Sequence, residues 1–206
     1  MIYLTSDLHF GHSNIIGFCQ RPFVDPEHMN EMLIEKWNEE VQPGDTVYIL
    51  GDFALGTIAD TLPLAARLNG EKILLPGNHD RVWCGGKPAQ IERFTEAYAR
   101  YFDVINNTAD NMVGELLLST GEYAIMSHFP YVGDSHEDQD RFSAWRPDDY
   151  GEVLLHGHVH DSWTIKRSPK GTLMINVGVD VWDYKPVSLG IIEAIIEEQG
   201  VNVPIP

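Results

Sequence analysis

Three short apolar runs rich in β-branched residues, 2–6, 46–50 and 72–75, constrain this chain most, because each stops at a polar cluster: Asp7, Gly51-Asp52 and Pro76-Gly77-Asn78. Runs of that length and composition read as buried strands. Between the first two, Met29, Met32, Leu33, Trp37 and Val41 recur at helical spacing over 27–41, after an Asp25-Pro26 start signal. Between the second and third, 59–68 is expected to be helical, with Pro63 near its beginning and Gly70 just past its end. The order is βαβαβ. Right-handed crossovers turn that order into a parallel sheet. In such sheets the ligand crevice lies outside the carboxyl ends of the strands, which is where the polar clusters fall.

A further helix is expected over 88–101. The pattern then changes to strands at 112–118, 122–127, 153–155, 163–166, 173–177 and 189–195, with Gly121 and Ser168-Pro169-Lys170-Gly171 as hairpin turns. This half reads as mostly antiparallel. The expected fold class is therefore α+β or α/β: two mixed sheets packed face to face with helices outside, a four-layer αββα sandwich. At 206 residues it forms one domain, 1–206, able to bury its core without disulfides or a structural metal. Residues 130–151 exceed an ordinary connection and read as a flap over the site.

Fourteen Lys and Arg against thirty-one Asp and Glu give a formal charge of -17, which disfavours extended nucleic acid as a partner. Charged residues at 22% and hydrophobic residues at 43% are ordinary globular figures, so the acidity does not imply disorder. Cys19 and Cys84 are too few for a disulfide framework and read as free thiols of a reducing compartment. No apolar stretch is long enough for a membrane span, and Met1-Ile2-Tyr3-Leu4-Thr5 reads as a strand and not a leader. A cytoplasmic protein with no membrane partner is expected. The oligomeric state is left open.

The polar clusters carry the chemistry. Asp7-Leu8-His9, Gly51-Asp52, Gly77-Asn78-His79-Asp80, Ser127-His128 and His156-Gly157-His158-Val159-His160 each follow an expected strand and contain metal-ligand side chains. A lone His or Asp there is usually a cap or a turn former; five such clusters at one sheet edge are not. The period of two is expected to put His158 and His160 on one face.

Asp7-x-His9, Gly51-Asp52, Gly77-Asn78-His79-Asp80, His128 and Gly157-His158-Val159-His160 resemble, in order, the motif set of the calcineurin-like metallophosphoesterases. The Asp-Leu-His-Phe-Gly-His opening is most similar to compact bacterial or phage members. The resemblance implies a hydrolase in which two divalent ions activate a hydroxide for in-line attack on phosphorus. It implies that Asp7, His9 and His160 bind one ion and that Asn78, His128 and His158 bind the other, with Asp52 bridging through its two oxygens. His79 would protonate the leaving group or stabilise the transition state; a turn histidine bonded to Asp80 is the bland reading. Manganese is favoured, with Fe, Zn²⁺, Mg²⁺ or Ni²⁺ as alternatives.

Around this core, His12 and Arg21 are candidate substrate contacts, Arg21 through a bidentate fork. Trp145-Arg146, with Tyr131 and Phe142, could stack on a base or sugar or could pack a flap onto the domain. His156 lies outside the family motif and reads as a supporting residue. Gly85-Gly86-Lys87-Pro88 lacks the spacing and hydroxyl of a phosphate loop. Leu55, Gly56 and Pro76 stand where protein Ser/Thr phosphatases of this superfamily carry Asp and Arg, which disfavours phosphoprotein substrates. The expected substrate is a small phosphomonoester or phosphodiester, a nucleotide or cyclic nucleotide above others. The alternatives are a small nuclease and a non-enzymatic scaffold of the same fold.

Overall fold

A computed structural model describes residues 1–105, 113–135 and 141–200. Strands β1 (Ile2–Thr5), β2 (Thr46–Ile49) and β3 (Glu71–Leu74) lie parallel, with Ile2 opposite Thr46 and Thr46 opposite Glu71. Their level register brings all three carboxyl ends to one edge. Two strands that the sequence reading missed, two residues each, flank them: β4 (Val104–Ile105) parallel beside β3, and β10 (Val187–Ser188) antiparallel beside β1. Neither is long enough to show a period of two.

Alternation sorts the first sheet's side chains between two cores. Tyr3, Val47, Ile49 and Leu74 face the helices, against Met29, Leu33 and Trp37. Leu4, Leu50 and Leu75 face the second sheet, against Leu116, Met126, Leu155 and Ile175. The helical layer comprises α1 (Ser13–Phe18), α2 (Pro26–Glu40), α3 (Ile58–Thr61) and α4 (Pro88–Tyr98). Helix α2 starts where expected, its first turn closed by Asp25, whose carboxylate accepts the His28 amide at 2.7 Å. The helix expected over 59–68 is broken: α3 gives way to a 3₁₀ turn at Leu62–Arg67, because Pro63 has no amide to donate back to Ala59.

The second sheet holds β5 (Val113–Leu117), β6 (Tyr123–Ser127), β7 (Leu154–His156), β8 (Ile165–Arg167) and β9 (Leu173–Asn176), in the order β5-β6-β7-β9-β8. It is not mostly antiparallel: β6–β7 and β7–β9 are parallel, and β5–β6 and β8–β9 antiparallel. The long 128–153 connection permits the first parallel crossover, and β8, inserted as an edge hairpin, permits the second. The sheet's far face, at Ile125, Leu154 and Met174, is covered by Tyr131, Val132 and Trp163.

The strand expected over 189–195 is instead α5 (Leu189–Glu198). Ser188 caps it by accepting the Ile191 amide, and Ile192 and Ile196, four apart, bury one stripe in the core between the sheets while Ile191 faces outward. The apolar run was continuous enough to hide that stripe. Residues 136–140 of the expected flap and Met112 of the expected β5 lie outside the described residues. No helix among the described residues is long and apolar enough to cross a membrane.

Candidate metal centre

The strand ends deliver their polar residues to one buried cluster. Asp7, His9, Asp52, His128 and His158 are almost wholly buried, His160 and Asn78 are partly so, and His79 is exposed at the mouth. Asp7 (φ 57°), His9 (φ 54°), Asp52 (φ 55°), His158 (φ 71°) and His160 (φ 48°) all hold left-handed backbone conformations. Non-glycine residues keep that geometry only where the surroundings over-determine it. The expectation that His158 and His160 share a strand face is corrected here. Both lie beyond the end of β7, and left-handed turns aim His160 at Asp7 and His158 toward His128 and Asp134.

Each carboxylate has one oxygen anchored and one presented. Asp7 Oδ2 accepts the His158 amide at 2.9 Å, while buried Oδ1 has no hydrogen-bond partner and lies 3.6 Å from His160 Nε2 and 3.9 Å from His9 Nε2. Asp52 Oδ1 accepts the His79 amide at 2.8 Å, and Oδ2 sits 3.6 Å from His9 Nε2 and 3.5 Å from His128 Nε2. His9 Nε2 and His158 Nε2 are likewise buried without a partner. These separations are too long for hydrogen bonds. They suit atoms that converge on a shared ion in place of a shared proton. Among the described residues, two groups of ligand atoms converge closely enough for a metal ion: Asp7, His9 and His160, and Asp7, Asp52 and His128. The donor set is imidazole and carboxylate, suited to first-row divalent ions, and orphaned buried acceptors are what such an ion satisfies.

Secondary contacts fix the imidazoles. His128 Nδ1 donates to the Leu50 carbonyl at 2.8 Å, which turns Nε2 toward Asp52 and toward Asn78 Oδ1 at 3.1 Å. His160 Nδ1 meets the Cys19 thiol at 3.3 Å, and burial, then Asp180, pushes that thiol up to about 12 and keeps it neutral. Burial, then the neighbouring His160, holds His9 well below its ordinary value, and burial, then His128, brings His158 to about 3. Both are the neutral imidazoles that ligation requires. Burial works against the charged form of His128 too, but the Asp52 and Asp7 carboxylates outweigh it and raise that residue.

Three acids support the cluster, one named in its motif and two that sequence reading did not single out. Asp80 accepts the amides of Asp52 (2.8 Å), Phe53 (3.1 Å) and Gly77 (2.9 Å), tying the β2 loop to the β3 loop. Burial and the Asp52 charge raise it to about 7. It carries no bond to the His79 ring among the described contacts. Asp134, held by Arg141 at 2.6 Å, faces His158 Nε2 at 3.6 Å. Asp180 belongs to the 3₁₀ turn Val179–Val181 and pairs with Arg21 at 2.7 Å. Asp80 had a signal, its place in the Gly-Asn-His-Asp run; the other two had none.

The candidate substrate contacts separate. His12 is half-buried at the mouth, its ring 5.2 Å from that of His9 and 6.2 Å from that of His79, and burial lowers it to about 4. Arg21 is corrected: its side chain is fully buried and donates to Asp180, to Asp7 O and to Leu8 O, so it builds the wall of the site and has no face for a substrate. His79 sits 5.3 Å from His9, ring to ring. His156 packs on Trp163 at 4.6 Å and donates through Nδ1 to the Gly157 carbonyl, away from the cluster. Trp83, Phe129, Phe142 and Trp145 pack together beside His158. Tyr131 lies in the far-face core.

Comparison with known proteins agrees with this geometry. The model of the calcineurin-like phosphoesterases matches residues 1–162, which contain every cluster above. The gene 66 protein of Mycobacterium phage D29 is 37% identical over 187 residues, covering 88% of each chain. An uncharacterized protein of Methanocaldococcus jannaschii is 34% identical over 203 residues, covering 96% of this chain and 92% of its own. A solved structure, a protein of unknown function from Aquifex aeolicus, superposes with a TM-score of 0.70 at 27% identity, covering 95% of this chain and 99% of that one. A family match over most of the chain, with the family's ordered motifs folded into one buried cluster of metal-ligand side chains, makes this protein a member of the calcineurin-like phosphoesterases, a family of metal-dependent phosphoester hydrolases.

Proposed function

We propose that this protein hydrolyses small phosphomonoesters or phosphodiesters, nucleotides or cyclic nucleotides above others, at a binuclear centre with manganese as the favoured metal. Asp7, His9 and His160 would hold one ion, and Asn78, His128 and His158 would hold the other. The observation that carries the reading is the paired arrangement of Asp7 and Asp52, each with one oxygen fixed by a backbone amide and the other presented to imidazoles of the cluster. Asp52 would be shared by the two ions, its Oδ2 lying 3.6 Å from His9 Nε2 and 3.5 Å from His128 Nε2.

Bound divalent ions supply Lewis-acid charge to a phosphoryl oxygen and lower the pKa of a water. The chain's own residues do the rest. Asp80 fixes the β2 and β3 loops, so Asp52 and Asn78 keep their places during turnover. His79, exposed beside His9, delivers a proton to the leaving-group oxygen. His12 lines the same side of the mouth.

The test is hydrolysis of p-nitrophenyl phosphate and bis-p-nitrophenyl phosphate with Mn²⁺, with chelator, and with Asp52→Asn. The expected result is turnover that chelator abolishes and that Asp52→Asn lowers on the order of 10³-fold, the rate equivalent of several kcal/mol of lost charge stabilisation. Activity indifferent to chelator or to Asp52→Asn overturns the proposal. Inactivity toward both esters with every divalent metal favours the scaffold reading.

A further inference from the structure

The turn Asp7-Leu8-His9 places two proposed ligands in left-handed conformations on either side of a buried leucine. Its amides are gripped from one side: Asp7 donates to Gly51 O at 3.1 Å and His9 to Asp52 O at 3.0 Å. Of its carbonyls, that of His9 accepts the His12 amide at 3.0 Å, and those of Asp7 and Leu8 accept from one side chain. Arg21 donates through NH2 to Asp7 O at 2.7 Å and through NH1 to Leu8 O at 3.0 Å. Its remaining donors go to Asp180 Oδ1 at 2.7 Å, Asp180 Oδ2 at 2.8 Å and Met29 Sδ at 3.5 Å. All five N–H groups of the guanidinium are thereby used.

We propose that Arg21, held by Asp180, is a positioning residue for metal binding: it locks the Asp7-Leu8-His9 turn in the strained geometry that presents Asp7 Oδ1 and His9 Nε2 to the ion. Two physical points carry this. A planar fork with fixed directions meets two successive carbonyls and a carboxylate at once, which the three donors of a lysine ammonium, radiating from one atom, do not match. A guanidinium in the wall of a site for dications also opposes their binding unless its charge is cancelled, and Asp180 cancels it with a bidentate pair. Asp180 reaches Arg21 from the turn after β9, whose Val179 amide bonds to Ser6 O at 3.0 Å, so the brace joins the two sheets just behind Asp7.

The inference rests on the metal centre proposed above, and its test separates the two. Apo wild type, Arg21→Lys and Asp180→Asn are titrated with Mn²⁺ by calorimetry, with circular dichroism and thermal unfolding of each apo-protein as the fold control. Both variants are expected to fold and to bind Mn²⁺ roughly 10–100-fold more weakly, the usual effect of removing a partner that orients a ligand. Hydrolysis at limiting Mn²⁺ should fall and then climb as Mn²⁺ is added, a rescue that a merely structural defect would not show. Wild type that binds no divalent ion overturns the metal centre itself. Wild type that binds while folded variants bind equally well overturns the role of Arg21 alone. Variants that do not fold, or whose lost activity added Mn²⁺ does not restore, make the pair a folding element and also overturn the positioning role.

Discussion

At the residue scale the centre is built by close approach. A Cβ at Gly157 would lie 1.9 Å from Ser6 Oγ and 2.5 Å from Asp7 Oδ2, so the β7 loop reaches Asp7 only because that position has no side chain. Gly157→Ala is expected to lose about 1–3 kcal/mol in urea unfolding, the range for overpacking a dense interior. It should also release metal more readily, because the His158 amide that anchors Asp7 Oδ2 is displaced. Wild-type stability in that variant would mean the loop yields freely and the anchor is unimportant. The identity of the clustered residues was legible in the sequence, since motif spacing specifies residue types at strand ends. What was not legible was their orientation. His158 and His160 converge through left-handed turns, and Arg21 turns inward because Asp180, far along the chain, neutralises it.

At the scale of elements, local chemistry decides which sequence readings survived. Helix α2 was readable because cap, proline and apolar spacing agree; α5 was not, because Leu189 to Ile196 is apolar on more than one face. Asp25→Ala should destabilise α2 by about 1 kcal/mol, the usual worth of an N-cap, in chemical denaturation, and leave hydrolysis unchanged because the Asp25–His28 contact is exposed and touches none of the clustered side chains.

A second device of the same scale is Asp149, which ties the 149–151 segment to the β8–β9 hairpin. It accepts Ser168 Oγ at 2.5 Å and Thr172 Oγ1 at 2.7 Å. Burial works against the charged form, but the two hydroxyls outweigh it and hold the carboxyl below its ordinary range. A carboxyl depressed in the folded state binds fewer protons there than in the unfolded chain. Its contribution is therefore complete above the unfolded value, about 4, and is lost as pH falls through the lower folded value. Thermal unfolding of Asp149→Asn between neutrality and pH 2 should show a shallower acid decline than wild type. Parallel curves would show that the tie does not depend on the charge.

For the whole molecule, the net charge of -17 bears on which phosphates the proposed centre would take. Of the thirty-one acids only Asp7 and Asp52 are proposed ligands, and the two divalent ions of the proposed centre would add four positive charges locally while leaving the protein near -13, from -17 plus 4. On the proposed reading a small phosphoester would meet the positive centre, and a long polyanion would meet the repulsive surface. Hydrolysis of bis-p-nitrophenyl phosphate should change less than about threefold between 50 and 200 mM salt, whereas a nuclease gripping several phosphates would lose orders of magnitude in affinity. Efficient, steeply salt-dependent cleavage of single-stranded nucleic acid would favour the nuclease reading.

Anomalous scattering from crystals grown with Mn²⁺ would show the proposed binuclear centre itself. Two manganese peaks are expected in each molecule, one within bonding distance of Asp7, His9 and His160, the other of Asn78, His128 and His158, with Asp52 beside both. A single peak, or peaks away from these side chains, would contradict it.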